Sequence, residues 1–422
     1  MTTQGYLTST QTMASEEPTT TRPRTRRWPR RLALAGGVSL LAAGGLWFGV
    51  NRTSWMGPLV ADGLRAVFGN RFVAFAEDTA YGIQDRVNTW RYRNEPPKTF
   101  WEAPTEATLP PPLPSAAEAS SSSASVAVAP PFYPAAVQPP FPNVAAKGDG
   151  LWTAIPDPAE PNEPPLMYKT LIHPDGRRVF AALAVVAIDR ASVGLHLVAG
   201  TSEPESPRVP RAERPGQVPA EHHPSLVAAF NGGFKATHGQ FGMFLEGKEY
   251  LPPKDHACTF VHYKDGRLAV APWSKLKDAG TDDIRYYRQT PPCLVQDGEV
   301  EKQVENIGET GTGWGATVSG ETVIRRSALG VSQDGKTLYY AIGDALTAQS
   351  LARGMRAVGS QVAAQLDVNY SYPRFLLYAK GTVGPFATTS IIPAVEFTNN
   401  QYVTPSPRDF FYLTRERKKN PG

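Results

Sequence analysis

The sequence predicts an α+β domain, a strand-rich mixed sheet with a few packed helices, preceded by one transmembrane helix and a Pro-rich tether. Three observations predict this class. Residues 32–50 form an uncharged run directly behind an arginine cluster. The 40 prolines, roughly twice the average usage, crowd between residues 96 and 165. From about Lys169 onward, apolar and aromatic runs alternate with turn residues, a pattern typical of strands.

The N-terminal region is predicted to anchor the protein. Residues 1–31 form a basic tail, and residues 32–50 have the length of one bilayer crossing. Because positive charge stays on the cytoplasmic side, everything after the crossing is expected in the periplasm or outside the cell. A cleaved signal peptide is the alternative, and it would make the protein secreted. Residues 51–95 are predicted as a juxtamembrane segment and residues 96–165 as an extended Pro/Ser/Ala-rich linker.

The folded domain is predicted over residues 166–405, with a basic tail at 406–422. Its clearest helix lies between Leu346 and Gly359, where apolar residues recur at helical spacing behind a possible N-cap, Thr347. A buried strand ending at Asp367 follows this helix. The clearest other strands are predicted at 179–188, 195–200, 226–230, 257–263, 267–272, 338–343 and 374–379.

Composition excludes several classes of protein. Lys plus Arg number 43 against 39 Asp plus Glu, so no nucleic-acid partner is expected. The two cysteines, Cys258 and Cys293, exclude a disulfide-dense scaffold and a four-cysteine zinc site. They either form one disulfide or remain two buried thiols. His256, Cys258 and His262 share a strand face, but no fourth ligand is indicated, and we predict no metal and no cofactor.

Two segments carry the residues of chemical interest. In the first, a buried strand ends at Phe230, and the tight loop after it allows backbone amides to approach a ligand. A hairpin-like turn is the alternative for this loop. The second segment, residues 324–381, supplies Arg326, Asp344, Asp367 and Ser371 at strand ends or loops. An arginine beside carboxylates suits an anionic substrate.

The order and spacing of four blocks resemble the phosphodiester glycosidase family over residues 165–405. The first three blocks are Asn231-Gly232-Gly233-Phe234, Pro292-Cys293-Leu294-Val295-Gln296-Asp297-Gly298 and Arg326-Ser327-Ala328-Leu329-Gly330. In the fourth, Leu366, Asp367 and Ser371 match the family pattern, whereas Val368, Asn369 and Tyr370 replace three glycines. Side chains of this size obstruct a ligand or build a different pocket.

The resemblance implies hydrolysis of a sugar-1-phosphodiester. Arg326 and the amides near Gly232 and Gly233 would then hold the phosphate, and Asp367 would act at the anomeric centre. A scheme with two carboxylates needs a second acid, for which Asp344 and Glu246 are the candidates. The expected substrate-binding residues are Asn231, Gly232, Gly233, Phe234, Asn369 and Ser371.

These expectations predict a membrane-anchored, outward-facing hydrolase of sugar-1-phosphodiester linkages in envelope glycans or exopolysaccharide. Its partners would be a phosphorylated glycan substrate and the membrane, through residues 32–50. The alternative is a non-catalytic glycan-binding or envelope interaction module on the same fold. The intact first blocks favour the enzyme, and the altered loop after Asp367 favours the binding module.

Overall fold

The computed structural model describes residues 79–104, 131–277, 282–307, 314, 322–382 and 384–416. All of them lie in one compact unit, Phe68–Gly422. Its helices are α1 (residues 79–91), α2 (Trp273–Leu276), α3 (Lys302–Glu305) and α4 (Ala348–Ala357), with 3-10 turns at Arg211–Glu213, Ala220–Ser225 and Ala236–His238. Its strands are β1 (Thr153–Ile155), β2 (Met167–Ile172), β3 (Leu183–Asp189), β4 (Val193–Val198), β5 (Leu226–Asn231), β6 (Met243–Leu245), β7 (Lys248–Leu251), β8 (Cys258–Tyr263), β9 (Leu268–Pro272), β10 (Ile284–Thr290), β11 (Val295–Gln296), β12 (Glu299–Val300), β13 (Ile324–Ser332), β14 (Thr337–Leu346), β15 (Ser360–Val368), β16 (Phe375–Lys380), β17 (Phe386–Ser390) and β18 (Phe410–Arg415).

The strands form three sheets around a shared core. The large sheet has the order β1-β2-β3-β14-β13-β15-β11-β12, the β5 sheet the order β17-β16-β5-β18-β4, and the β10 sheet the order β7-β6-β10-β8-β9. Side chains from all three sheets meet in one apolar cluster that includes Phe230, Tyr286 and Tyr340. A second cluster packs α4 against the opposite face of the large sheet. The large sheet is therefore buried on both faces, which explains its nearly continuous apolar strands.

The prediction of a mixed sheet is wrong for the described residues, because every strand pairing within them is antiparallel. A helix, α4, connects β14 to β15. These two strands do run in the same direction, but β13 lies between them and pairs with both. The carboxyl ends of β14 and β15 consequently meet at one edge of the large sheet, which is where Asp344 and Asp367 lie.

The predicted helix before β15 is confirmed with its caps. Thr347 is the N-cap of α4, and its side chain and that of Ser350 form a capping box. Gly359 follows the helix with a φ of 83°, a backbone conformation that glycine adopts without steric cost. The predicted N-cap and the predicted terminating glycine are therefore both present, and Gly359 redirects the chain from α4 into β15.

The predicted linker, residues 96–165, differs from the structure over much of its described length. Trp152 is buried within the domain, and its Nε1 donates to Ala135 O at 2.8 Å. The strand after it, β1, pairs with β2 in the large sheet. Burial of aromatic residues among the prolines, such as Trp152, opposes the entropy of ordering this segment, and average composition does not show such residues. Residues 105–130 lie outside the described residues.

The predicted boundary at residue 405 also differs from the structure. The assigned basic tail, residues 406–422, contains β18, which lies between β5 and β4 in the β5 sheet. Phe410, Phe411 and Leu413 of this strand are fully buried. The charged residues after the strand dominate the composition of the tail and obscure its apolar run. Residues 417–422 lie outside the described residues.

The predicted anchor, residues 32–50, lies outside the described residues. Within the part of the chain that the structure describes, no helix is long and apolar enough to cross a membrane.

Candidate functional site

A β-bulge places Asp367 at the edge of the large sheet. Arg326 pairs with Val368, whereas Ala328 pairs with Gln365, so β15 carries one extra residue at this point. Gln365 contacts Arg326 on one face of the sheet, and Leu366 packs into the shared core on the other. The extra residue turns Asp367 toward the β5 sheet, because a bulge re-aims the side chain it displaces.

The carboxylate of Asp367 lies in an ion pair with Arg408. Arg408 Nη2 donates to Asp367 Oδ2 at 2.6 Å, and Asn369 Nδ2 donates to the same oxygen at 3.1 Å. The side chain of Asp367 is 3% exposed and that of Arg408 is 12% exposed. Burial opposes the charge of Arg408, but Asp367, Tyr372 and Asp409 together outweigh it, so the pKa of Arg408 lies above its ordinary value.

The aromatic ring of Tyr372 lies near two arginines, one of which is the partner of this carboxylate. The guanidinium of Arg408 lies 4.2 Å from the ring centre, and that of Arg374 lies 6.0 Å from it. Arg374 is half-buried and also donates to the backbone oxygens of Ser371 and Tyr372. We call Asp367, Asn369, Tyr372, Arg374 and Arg408 the Asp367 cluster. It combines one carboxylate with two cations, which suits an anionic ligand.

The loop after Asp367 forms without the three glycines of the family pattern. The side-chain oxygen of Asn369 accepts hydrogen bonds from the backbone N–H groups of Ser371 at 3.0 Å and Tyr372 at 2.6 Å. This is an Asx turn, in which hydrogen bonds to the side chain of Asn369 stabilise a tight loop that does not contain glycine. Tyr370 projects from the loop and is 40% exposed, while Ser371 is exposed. Asn369 therefore shapes the loop and also holds Asp367.

The Asn-Gly-Gly-Phe loop contacts the protein interior rather than an open surface. Gly232 N donates to Asp409 O at 3.0 Å, and Gly233 N donates to Asp409 Oδ2 at 2.9 Å. A Cβ at Gly233 would lie 2.6 Å from the Arg288 guanidinium carbon, so only glycine fits. The amides predicted to hold a phosphate thus bind Asp409, Gly232 N at its backbone oxygen and Gly233 N at its carboxylate, and Phe234 is buried beside them.

Asp409 is the buried centre of this arrangement. Its side chain is 0% exposed and pairs with Arg288, 1% exposed, whose Nε donates to Asp409 Oδ2 at 2.8 Å. Arg288 also donates to the backbone oxygens of Phe234 and Phe241. The pair therefore holds the glycine loop in place. The loop in turn positions Asp367, because Gly232 O accepts a hydrogen bond from the backbone N–H of Asp367 at 3.2 Å.

Asn231 connects strands of two sheets. Its Nδ2 donates to Ser327 Oγ at 3.0 Å, and its Oδ1 accepts from the hydroxyl of Tyr340 at 2.8 Å. The hydroxyl of Ser327 donates to Asp367 O at 3.3 Å. Asn231 is fully buried, and these contacts position the backbone of Asp367. Its predicted contact with substrate remains a prediction.

Arg326 lies beneath the sheet, on the face opposite the Asp367 carboxylate. It is 1% exposed, and its guanidinium donates to the backbone oxygens of Leu346, Trp314 and Thr322 and to Gln365 Oε1, at 2.5 to 3.0 Å. Burial among these neutral acceptors lowers the pKa of Arg326 to about 9. The structure thus separates its guanidinium from the anion-binding position that the resemblance implied.

The two candidate second acids occupy different surroundings. Asp344, 20% exposed, pairs with Arg325 at 2.7 Å and with Lys98 at 3.8 Å. It lies at the same sheet edge as Asp367, two strands away, which corresponds to about 10 Å between backbones. Glu246 is in the β6–β7 turn of the β10 sheet, where its exposed carboxylate pairs with Arg285.

Cys258 and Cys293 form a disulfide, which resolves the alternative left open by the sequence. Cys258 is therefore not available with His256 and His262 as a metal ligand. Among the described residues, no group of three or more histidine, cysteine or acidic side chains is arranged to hold a metal.

Sequence reasoning missed Arg288, Arg374, Arg408 and Asp409. Arg408 and Asp409 fell in the segment assigned to the tail, and the signal that could have found them is the apolar run of β18 directly after them. Arg288 lies within β10, and no pattern in the sequence of this strand distinguishes it from an exposed arginine. Its role is shown only by its contact with Asp409 in the structure.

Comparison with known proteins confirms the resemblance seen in the sequence. The model of the phosphodiester glycosidase family matches residues 224–367, which include the Asn-Gly-Gly-Phe loop and end at Asp367. A comparison with curated protein sequences finds no match.

Two solved structures are similar to parts of this chain. One is the catalytic domain of zebrafish N-acetylglucosamine-1-phosphodiester alpha-N-acetylglucosaminidase, auto-inhibited by its pro-peptide. It is 14% identical, the match covers 61% of this chain and 85% of that one, and the TM-score is 0.39. The other is a hypothetical protein from Synechocystis, 10% identical, with coverage of 59% and 62% and a TM-score of 0.32. The match to a phosphodiester glycosidase family supports a hydrolase-like domain.

Proposed function

We propose that this protein is a membrane-anchored, outward-facing hydrolase of sugar-1-phosphodiester linkages in envelope glycans or exopolysaccharide. The observation that carries the proposal is the carboxylate of Asp367 paired with Arg408, at the end of the segment that matches the phosphodiester glycosidase family, with Arg374 near the same tyrosine ring as Arg408. The disulfide between Cys258 and Cys293 supports an oxidising, exported location.

In this proposal Arg408 takes the role that the resemblance implied for Arg326. The side chain of Arg408 is 12% exposed beside Asp367, whereas the guanidinium of Arg326 is buried among backbone oxygens. A phosphodiester attracts Arg408, and Arg374 adds a second positive charge. As Arg408 transfers hydrogen bonds to the phosphate, Asp367 is released to act at the anomeric carbon.

Because the leaving group is a phosphate, one carboxylate and two arginines suffice for cleavage without a second carboxylic acid. Cleavage of the bond between the anomeric carbon and the phosphate oxygen releases the acceptor as a phosphate monoester, which departs as a stable anion and needs no proton from a carboxylic acid. Water supplies the oxygen that bonds to the anomeric carbon, and Asp367 accepts the proton of that water. What the transition state needs is positive charge where the negative charge develops, and Arg408 and Arg374 supply it. Asp344, two strands away and paired with Arg325, is not required as the acid.

A non-catalytic glycan-binding module is the second candidate. It is favoured by the 3% exposure of the Asp367 carboxylate and by the amides of Gly232 and Gly233, which already bind Asp409. In that case the exposed residues Tyr370 and Ser371 would contact the glycan.

Turnover by the full chain on a panel of sugar-1-phosphodiesters tests the proposal. We expect Asp367→Asn to lower kcat/KM at least about 100-fold and Arg408→Gln to lower it about 10-fold to 100-fold, since each removes a charged contact of the transition state. Asp265→Asn serves as the control, because this carboxylate is exposed in the β8–β9 turn and pairs with Arg267. Absence of turnover together with glycan binding would favour the second candidate.

A further inference from the structure

We propose that one face of α1, formed by Ile83, Val87 and Trp90, lies on the surface of a lipid bilayer with anionic headgroups. These side chains are 57%, 53% and 68% exposed. They are three of the five large hydrophobic side chains that are exposed in the described residues. Their spacing of four and three residues places them on a single helical face.

The orientation of α1 is fixed by contacts on its opposite face. Asp85 forms an ion pair with Arg178 at 2.8 Å, and the ring centre of Tyr92 lies 5.6 Å from that of Phe180. The helix therefore turns its carboxylate toward the domain and its apolar side chains away from it. A helix on the surface of a soluble domain has the reverse arrangement, whereas a helix at a membrane interface presents its apolar face outward.

The charges around the apolar face of α1 indicate what binds there. At 100° per residue, Arg86 and Arg91 lie on either side of the apolar stripe, and Asp85, the acid within residues 79–91, is paired on the other side. Arginines that flank an apolar stripe match anionic lipid headgroups around acyl chains. Two copies of this face in contact would instead place arginines against arginines.

The predicted crossing brings the helix close to a bilayer. It ends at residue 50 and the described part of α1 starts at residue 79, so even a fully extended connection would keep this part of the helix within about 100 Å of the membrane. An interfacial helix with three apolar side chains binds weakly alone, but tethering raises its effective concentration at the surface.

Docking would hold the candidate site at the membrane. The rings of Tyr81 in α1 and Tyr370 in the loop after Asp367 are 5.9 Å apart, so this helix and the Asp367 cluster are neighbours. The consequence, which rests on the proposed function, is that the enzyme acts on phosphodiesters presented close to the bilayer surface.

A fluorescent label tests the docking directly. Both native cysteines are in the disulfide, so an introduced cysteine is the single free thiol. Val87→Cys and the control Thr89→Cys, exposed on the side of the same helix, are each labelled with nitrobenzoxadiazole in the full chain. The chains are reconstituted into phosphatidylcholine vesicles with or without phosphatidylglycerol, and quenching by doxyl-labelled lipid is measured. Both positions are exposed, so neither change disturbs packing.

We expect at least about threefold more quenching at position 87 than at position 89, and we expect that difference to depend on phosphatidylglycerol. The double change Arg86→Gln and Arg91→Gln should abolish that dependence. Equal quenching at both positions overturns the proposal, as does a shielded label at position 87 that doxyl lipid does not quench, which would indicate cover by protein. Failure of the chain to float with vesicles also overturns it. None of these results depends on turnover, so the proposed activity stands or fails separately.

Discussion

Replacing Arg288 with methionine is expected to destabilise the domain strongly, because it leaves the charge of Asp409 buried without its partner. Both side chains are at most 1% exposed, and Arg288 Nε lies 2.8 Å from Asp409 Oδ2. Loss of one member of such a pair costs about 3 to 5 kcal/mol. That is a large share of a domain stability of roughly 5 to 15 kcal/mol.

Urea unfolding of Arg288→Met measures this cost. With an m-value of about 3 kcal/mol/M, the midpoint should fall by roughly 1 to 1.7 M. Arg285→Met is the matched control on the same strand, because its pair with Glu246 is exposed and should contribute under about 1 kcal/mol.

A second change separates the charge from the lost packing. Adding Asp409→Leu to Arg288→Met removes the unpaired carboxylate, so part of the stability should return. The reasoning is refuted if Arg288→Met is no more destabilising than Arg285→Met, or if the double variant is the less stable of the two.

Three further predictions concern stability. Burial, two neighbouring histidines and an arginine lower the pKa of His196 to about 3, so the unfolded chain binds more protons below pH 6.5. Stability should therefore fall as the pH drops, by about 2 kcal/mol between pH 7 and pH 5. Urea unfolding should show that the stability of His196→Gln depends less on pH, and an unchanged pH dependence would contradict the lowered pKa of His196. Gly233→Ala should cost about 1 to 3 kcal/mol in the same assay, because its Cβ meets the Arg288 guanidinium at 2.6 Å; a neutral result would show that the loop has room. Replacing Cys258 and Cys293 with alanine should cost about 4 kcal/mol for a loop closed over 35 residues, and an unchanged melting temperature would argue against that contribution.

The elements that could be predicted from the sequence are those that depend on interactions between residues close together in the chain. Thr347 and Gly359 mark both ends of α4, and their conformations depend on neighbours a few residues away. Strands such as β5 and β14 were also predictable, since their apolar runs reflect burial on both faces.

The site could be predicted only in part, because its contacts join residues far apart in the chain. Asp367 was identified, but its partner Arg408 is 41 residues away, in a segment assigned to a tail. The bulge that turns Asp367 toward Arg408 depends on the register between β13 and β15, which no local pattern specifies. Arg326 has the right chemistry for phosphate, and only the fold shows that its guanidinium faces the interior.

In the proposed mechanism, Asp367 acts at the anomeric carbon while Arg408 holds the phosphate. Turnover of a sugar-1-phosphodiester in water enriched with oxygen-18, followed by mass spectrometry of both products, tests it most directly. We expect the heavy oxygen in the released sugar, because the bond between the anomeric carbon and oxygen is cleaved. Heavy oxygen in the phosphate would show attack at phosphorus and would rule out this mechanism.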